Sequence, residues 1–534
     1  MKSFSKKKLF IAISFCYLFS LSFFLGATLS VNKSITAKQL GSDLLQAIIP
    51  SVLILFLHFL LKKFCCPKYF FVNSKMELCF SEKKDIAYCL ICLLSHFLAW
   101  LPLLLAYYPG LMNYDASAQI NQHMGTYSTP HPLFHTFYLK FFYNIIGEEL
   151  FHNVNIGVLL ATITQMILLS AMISYMHLFL KRLGLRIWYR ILTLLFTCFA
   201  PFISGMSISL VKDTLFSGLF LVIFICLCYW ELDTKGYCSS KKYILIYISA
   251  ISAICLTRKN GILTVSIILL VEAFMLIQKE KRKAKIKLLT YTLIGIGIFF
   301  ILQSSAIFVT KASGSSSNEI LSIPYQQLAY VNNVMREEIT IEEQEALYTI
   351  LPDIEKYNLR NSDPIKARAQ GMENFECFIS IYFKLACRFP IQYAEAFLHH
   401  TIGYWYIYDA SFSQFYGVSS RIGYLPTLQC ELGIEEQCFL PIVFHYFDSL
   451  FSYNNYQNNI LLFTICSPST YLWIIAMFFI WNLENKKNKF VLPFVFIFSL
   501  VIPLFLGPCV LVRYVLPYIL CVPALCAIVI GKRE

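Results

Sequence analysis

The sequence predicts an all-α, polytopic membrane protein with about twelve transmembrane helices, and three observations predict it. Hydrophobic residues make up 57% of the 534, mean hydropathy is +0.62, and charged residues are only 14%. A soluble chain of this length has no way to hide so much apolar surface. Apolar runs of membrane-crossing length recur along the chain. Lysine and arginine gather in alternate connections between those runs, the pattern of the positive-inside rule. The formal net charge of +13 is therefore explained by connecting loops and gives no sign of a nucleic-acid partner.

The apolar segments fall near 9–31, 43–61, 86–108, 153–180, 191–203, 207–230, 243–257, 260–277, 288–309, 459–481, 490–506 and 511–530. Several are shorter than the roughly 20 residues a full span needs. The stretch 191–230 reads either as two short helices or as one helix with a re-entrant piece, and 243–277 has the same ambiguity. The first segment follows Lys6-Lys7-Lys8 as a signal peptide would. Its length and the poor cleavage site at Ser30-Val31-Asn32 favour an uncleaved span. The basic patches are Lys2 with Lys6–Lys8; Lys62, Lys63, Lys68, Lys83 and Lys84; Lys181, Arg182, Arg186 and Arg190; Lys235, Lys241 and Lys242; Lys279 to Lys287; Lys486, Lys487 and Lys489; and Lys532 with Arg533. With twelve spans all of them share one side, which predicts a multi-pass cell-membrane protein with both termini cytoplasmic.

Three parts follow: an N-terminal transmembrane module over 1–309 containing an external loop at 109–152, an extracytoplasmic segment over 310–458, and C-terminal transmembrane helices over 459–534. Within the long segment, 310–320 is a Gly/Ser-rich connector. Helical patterns follow at 325–338, 341–347 and 363–374, then an amphipathic helix over 376–400. Most of the 19 cysteines lie in apolar runs and read as small hydrophobes. Cys430 and Cys438 are the pair that an oxidising compartment would join.

The external loop is too polar for a plain connector. It carries Asp115, Gln119, Gln122, His123, His131 and His135 between two apolar runs. A short helix over 113–124 would set Asp115, Gln119 and Gln122 on one face, and His131 and His135 are likewise four apart. A carboxylate there can accept a proton from an attacking hydroxyl, while histidine and glutamine can hold sugar hydroxyls or a phosphate. The same residues also suit a polar helix end at the interface. Asp115, His131 and His135 leave a divalent metal open without requiring one.

Other polar groups interrupt apolar sequence: Lys212-Asp213, Arg258-Lys259 and Arg513. Ionisable groups at membrane depth are costly and often functional, and Arg258 and Arg513 offer planar forks suited to a phosphate. Snorkelling at the interface is the plainer alternative. Tyr404 and Trp405, in Gly403-Tyr404-Trp405-Tyr406, suit either an interfacial anchor or a sugar or lipid platform.

The segments YPGLMNYDASAQINQ (108–122), HPLFHT (131–136), VKDTLF (211–216), TRKNG (257–261), IPYQQLAY (323–330), NSDPIK (361–366), AFLHHTIGYWY (396–406) and RYVLP (513–517) resemble, in this order, an uncharacterised bacterial group within the GT-C class of membrane glycosyltransferases. The resemblance implies a GT-C-like fold and a polyprenyl-phosphate-linked sugar donor. It implies an essential acid in the first large external loop, at Asp115, with Arg258 and Lys259 near the donor phosphate. The paired acids of protein mannosyltransferases are missing, since Asn113-Tyr114-Asp115 has no second acid beside it, so the acceptor class stays open.

The expected function is transfer of a sugar from a lipid-linked donor to a cell-envelope glycan or lipid on the outer face of the bilayer. Asp115 would act on the acceptor. The surrounding binding residues would be Gln119, Gln122, His131, His135, Lys212, Asp213, Arg258, Lys259, Tyr404, Trp405 and Arg513. A transporter or lipid flippase and a polysaccharide polymerase or ligase are the alternatives. Transporters often show two similar halves, which this sequence lacks.

Overall fold

The computed structural model describes residues 6–32, 34–65, 67–72, 82–124, 126–129, 131–314, 317–409, 431–450, 459–484 and 490–531. Among them regular structure is helical, with only isolated β-bridges between loops. Cys430, Lys2, Lys486, Lys487, Lys489, Lys532 and Arg533 lie outside the described residues, and so does half of the expected Cys430–Cys438 pair.

All twelve apolar segments are helical, but they differ in length. Among the described residues seven helices are long and apolar enough to cross a membrane: Lys6–Val31, Ala37–Phe64, Lys83–Ala106, Val154–Arg182, Lys212–Leu232, Arg282–Thr310 and Val512–Ile530. Two further pairs, Ile187–Phe199 with Pro201–Ser207 and Ile460–Cys466 with Pro468–Glu484, bend by 55° and 66°. Counting each bent pair as one span gives up to nine, where the sequence suggested about twelve. Lys241–Thr257 and Lys259–Met275 have 17 residues each. At ~1.5 Å per residue they reach about 25 Å, short of the ~30 Å hydrocarbon core.

The bends have a local cause. Both pairs break before a proline, and the preceding residues, Ala200 (ψ 118) and Ser467 (ψ 127), are extended, as the proline ring requires of its neighbour. The stretch 191–230 is thus a bent helix pair followed by a separate long helix. The stretch 243–277 is a hairpin that turns on one extended residue, Arg258 (φ −157, ψ 141). Gly261 permits that reversal: a Cβ there would lie 2.3 Å from the Ile254 carbonyl oxygen. Deeper in the hairpin the Tyr247 hydroxyl donates to Glu272 at 3.2 Å, and Thr292 of the next helix donates to the same oxygen at 3.1 Å.

Lys212–Leu232 lies at the centre of the bundle, with 16 of its 21 residues buried. It packs against Val154–Arg182, Lys241–Thr257 and Leu516–Ile530. Residues 317–404 form a separate helical region with its own core, including Tyr325, Leu328, Leu347, Ile350, Phe378 and Leu385. The expected amphipathic helix over 376–400 is two helices, Phe375–Arg388 and Pro390–Thr401. Proline opens the second, where its missing N–H costs nothing. The expected 363–374 helix shortens to Asp363–Lys366. This region docks on the turn before the last long helix: Ser362 N donates to Pro508 O at 2.9 Å, and His400 Nε2 bonds Gly507 O at 2.8 Å.

The ends of the bundle differ in charge chemistry. Near one end Asp85 meets Lys181 and Arg182, and Glu484 meets Lys62. At the other end lie the first loop, the tip of the Arg258 hairpin and Arg513.

Candidate functional site

Backbone pairing brings the site together. The loop leaving the helix Glu82–Ala106 runs beside the loop that enters Lys212–Leu232: Leu111 N donates to Ile208 O at 2.9 Å, and Leu210 N donates to Leu111 O at 2.8 Å. Gly110 makes the approach feasible, with φ +131 and no room for a Cβ beside Thr162. The Gln165 amide pins the second loop from below, donating to Ser207 O (3.0 Å) and Ser209 O (2.7 Å). Asn113 then caps the short helix Tyr114–Ile120, its side chain accepting from Ala116 N. Asp115 stands in the first turn of that helix, and Lys212 in the first turn of its own.

Five charged groups converge there. Asp115 Oδ2 lies 3.5 Å from Lys212 Nζ and 3.4 Å from Arg513 Nη2. Lys212 Nζ also lies 3.3 Å from His131 Nδ1. Asp213 accepts from Arg258, and its other oxygen is 3.5 Å from Arg513 Nε. The Tyr514 ring has the Arg258 guanidinium 4.5 Å and the Arg513 guanidinium 5.4 Å from its centre, so its π-face holds both forks. Lys212, Arg258 and Arg513 set against Asp115 and Asp213 leave one positive charge in surplus.

The electrostatics around Asp115 pull in opposite directions. Burial pushes its carboxyl up, but Lys212 and Arg513 outweigh that and hold it well below the usual carboxylate range. Burial, with the Lys212 charge beside it, lowers His131 to about 4. His131 is therefore neutral near pH 7, and its Nδ1 lone pair faces Lys212. Burial lowers His135 to about 3.

The remaining predicted residues divide into groups. Gln119 and His135 form a buried pair below Asp115. Gln119 Oε1 is 3.0 Å from His135 Nδ1, and its amide donates to Thr136 at 3.0 Å. His135 Nε2 is buried and has no hydrogen-bond partner among the described residues. Gln122 lies past the end of the short helix and donates to Ser128 at 3.3 Å; Lys140 holds its carbonyl at 2.6 Å. Lys259 stands exposed at the rim, within electrostatic reach of Lys212 and of Glu319. Tyr404 is buried, stacks on Phe505 at 5.3 Å, and lies within electrostatic reach of Arg258 and Tyr514. Trp405 is placed elsewhere: its indole donates to Thr401, its carbonyl accepts from Trp473, and it packs on the Leu29–Ile402–Tyr406 cluster.

Glu319, whose charge reaches both His131 and Lys259, had no mark in the sequence. It sits at the end of the connector, and its partner Lys366, at 2.9 Å, is far along the chain. Among the described residues no three His, Cys, Asp or Glu side chains group as a metal site would need. In particular, the Lys212 ammonium stands between Asp115 and His131, the place a shared cation would take.

These features define a multi-pass, all-α membrane protein with a charged site at one end of its helices and a helical non-membrane region docked beside it. The chain belongs to a family described as a family of unknown function (DUF6020), which it matches over residues 123–533. That stretch takes in every predicted site residue except Asp115, Gln119 and Gln122, which precede it. No curated protein and no solved structure matches the chain.

Proposed function

We propose that the protein is a membrane glycosyltransferase that moves a sugar from a polyprenyl-phosphate-linked donor to a cell-envelope glycan or lipid. The observation that carries this reading is the convergence of Asp115 with Lys212, Arg258 and Arg513. One carboxylate beside a surplus of cations is what inverting transfer from a phosphate leaving group needs. The acceptor oxygen attacks the anomeric carbon, the carbon–oxygen bond to phosphate breaks, and the phosphate keeps the electron pair. Asp115 takes the acceptor proton. Lys212, Arg258 and Arg513 stabilise the charge that develops on the phosphate. Gln119 and His135 hold the floor, and Tyr404 lines the far side. Under the positive-inside rule, the end carrying Lys62, Lys181 and Arg182 faces the cytoplasm, and the site faces outward.

The test is transfer of labelled sugar from polyprenyl-phosphate-linked donors in membranes carrying the normal protein or Asp115→Asn, at matched protein levels. Transfer should fall by about 100-fold or more in the variant. Equal transfer would remove Asp115 as the base. The two bent helix pairs favour a second reading, a transporter of lipid-linked sugar, since broken helices line many transport sites. In that case labelled lipid would cross the bilayer unmodified.

A further inference from the structure

Asp115 and Asp213 sit one on each side of Arg513, yet they are held differently. The Asp213 side chain is 1% exposed, is bonded directly by Arg258, and stands on the buried central helix. The Asp115 side chain is 22% exposed and sits on a helix of seven residues. Its contacts to Lys212 and Arg513, at 3.5 and 3.4 Å, are long for charge-assisted bonds, which settle near 2.7–2.9 Å. Asp213 is a fixed counter-ion. Asp115 occupies an anion position without filling it well.

We infer that Asp115 is a displaceable counter-ion: it stands where the phosphate of the substrate binds, between Lys212 and Arg513, and that phosphate expels it toward the acceptor. This rests on the glycosyltransferase reading and adds an order of events to it. A phosphate offers more oxygens than a carboxylate, and Lys212 and Arg513 bring up to three and five N–H donors. Once its two cations turn to phosphate, the Asp115 carboxylate loses the charges that stabilise it and becomes more basic. The acceptor proton then has somewhere to go only after the donor is seated. The low proton affinity of Asp115 beside its two cations fits this, because a carboxylate so held is a weak base. His131 supports the exchange. Its neutral ring accepts from Lys212 and keeps the ammonium in place as the carboxylate departs.

The consequence is opposite to that for an ordinary binding residue: removing the Asp115 charge should tighten phosphate binding. The experiment uses the full chain in phosphatidylcholine nanodiscs and measures binding of undecaprenyl phosphate and of inorganic phosphate to the normal protein, Asp115→Asn and Asp115→Ala. Both variants should bind undecaprenyl phosphate about tenfold tighter than the normal protein. Tightening for the lipid alone assigns the position to a lipid-borne phosphate, and tightening for both probes assigns it to the phosphate group itself. Either result supports displacement. Equal or weaker binding by monodisperse variants, with the normal protein binding, overturns displacement and leaves the transferase reading standing. Absence of undecaprenyl phosphate binding in all three overturns both.

Discussion

Two carboxylates, Asp85 in the first turn of the helix Glu82–Ala106 and Asp115 in the short helix beyond its far end, each face one lysine and one arginine, and the two clusters are built to different tolerances. Asp85 is 2.8 Å from Lys181 and takes Arg182 on a single oxygen through Nε at 3.0 Å and Nη2 at 2.9 Å. Arg182 continues to the Tyr243 hydroxyl at 2.6 Å. The Asp85 side chain is 5% exposed, and the cluster ties together three helices. Asp115 has the same partner types at 3.4 and 3.5 Å and is open to its surroundings. Composition alone does not separate a staple from a site. Hydrogen-bond saturation does: a fully bonded ion cluster has nothing left to offer, whereas a loose one retains donors for a ligand.

The largest expected effect lies at the staple. Asp85→Asn leaves Arg182 and Lys181 facing an uncharged partner and should cost about 3–5 kcal/mol, seen as loss of the monodisperse peak on size exclusion after mild heating. Asp115→Asn should cost less than Asp85→Asn, because its pairs are longer and its side chain is more open. If the two variants exchanged places, the comparison would collapse.

Next comes Arg258→Lys. Lysine keeps the charge but loses the planar fork on Asp213 and its stacking on Tyr514. Sugar transfer should fall about tenfold, 1.4 kcal/mol in the barrier, with protein yield unchanged. A loss of yield equal to the loss of activity would instead make Arg258 a second staple.

The pH dependence is smaller and has a definite sign. His131 is lowered to about 4 from an ordinary value near 6.5. Between those values the unfolded chain binds the proton and the folded chain does not, so stability falls as pH drops from 7 toward 4. At pH 5 the His131 contribution is at most about 2 kcal/mol of destabilisation. His131→Gln should lessen the fall of melting temperature over that range, leaving the part that His135 contributes with the same sign, and an unchanged slope would remove the link. The smallest effect belongs to Trp405→Phe, which gives up one long hydrogen bond to Thr401. Stability should drop by about 1 kcal/mol or less, and transfer should stay within twofold.

The membrane class, the helical character of all twelve apolar segments and the polar first loop follow from the sequence, because hydropathy and charge placement act locally along the chain. Asp115, Lys212, Arg258 and Arg513 stand out by the same means: Asp115 is the lone acid of a polar loop between two apolar runs, and the other three are charges that interrupt apolar sequence. Their pairing is a different matter. Asp115 reaches Lys212 because Leu111 bonds across to Ile208 and Leu210, and Arg258 reaches Asp213 because Gly261 lets a hairpin close on one residue. The bending of two apolar segments, the separation of Tyr404 from Trp405, and the arrival of Glu319 within electrostatic reach of Lys259 and His131 likewise appear only in three dimensions. Such features depend on contacts between residues far apart in the chain, whose geometry no local pattern encodes. The sequence determined which residues carry charge into a membrane protein. Tertiary structure decided which of those charges pair closely and which pair loosely, because that depends on distances of a few tenths of an ångström.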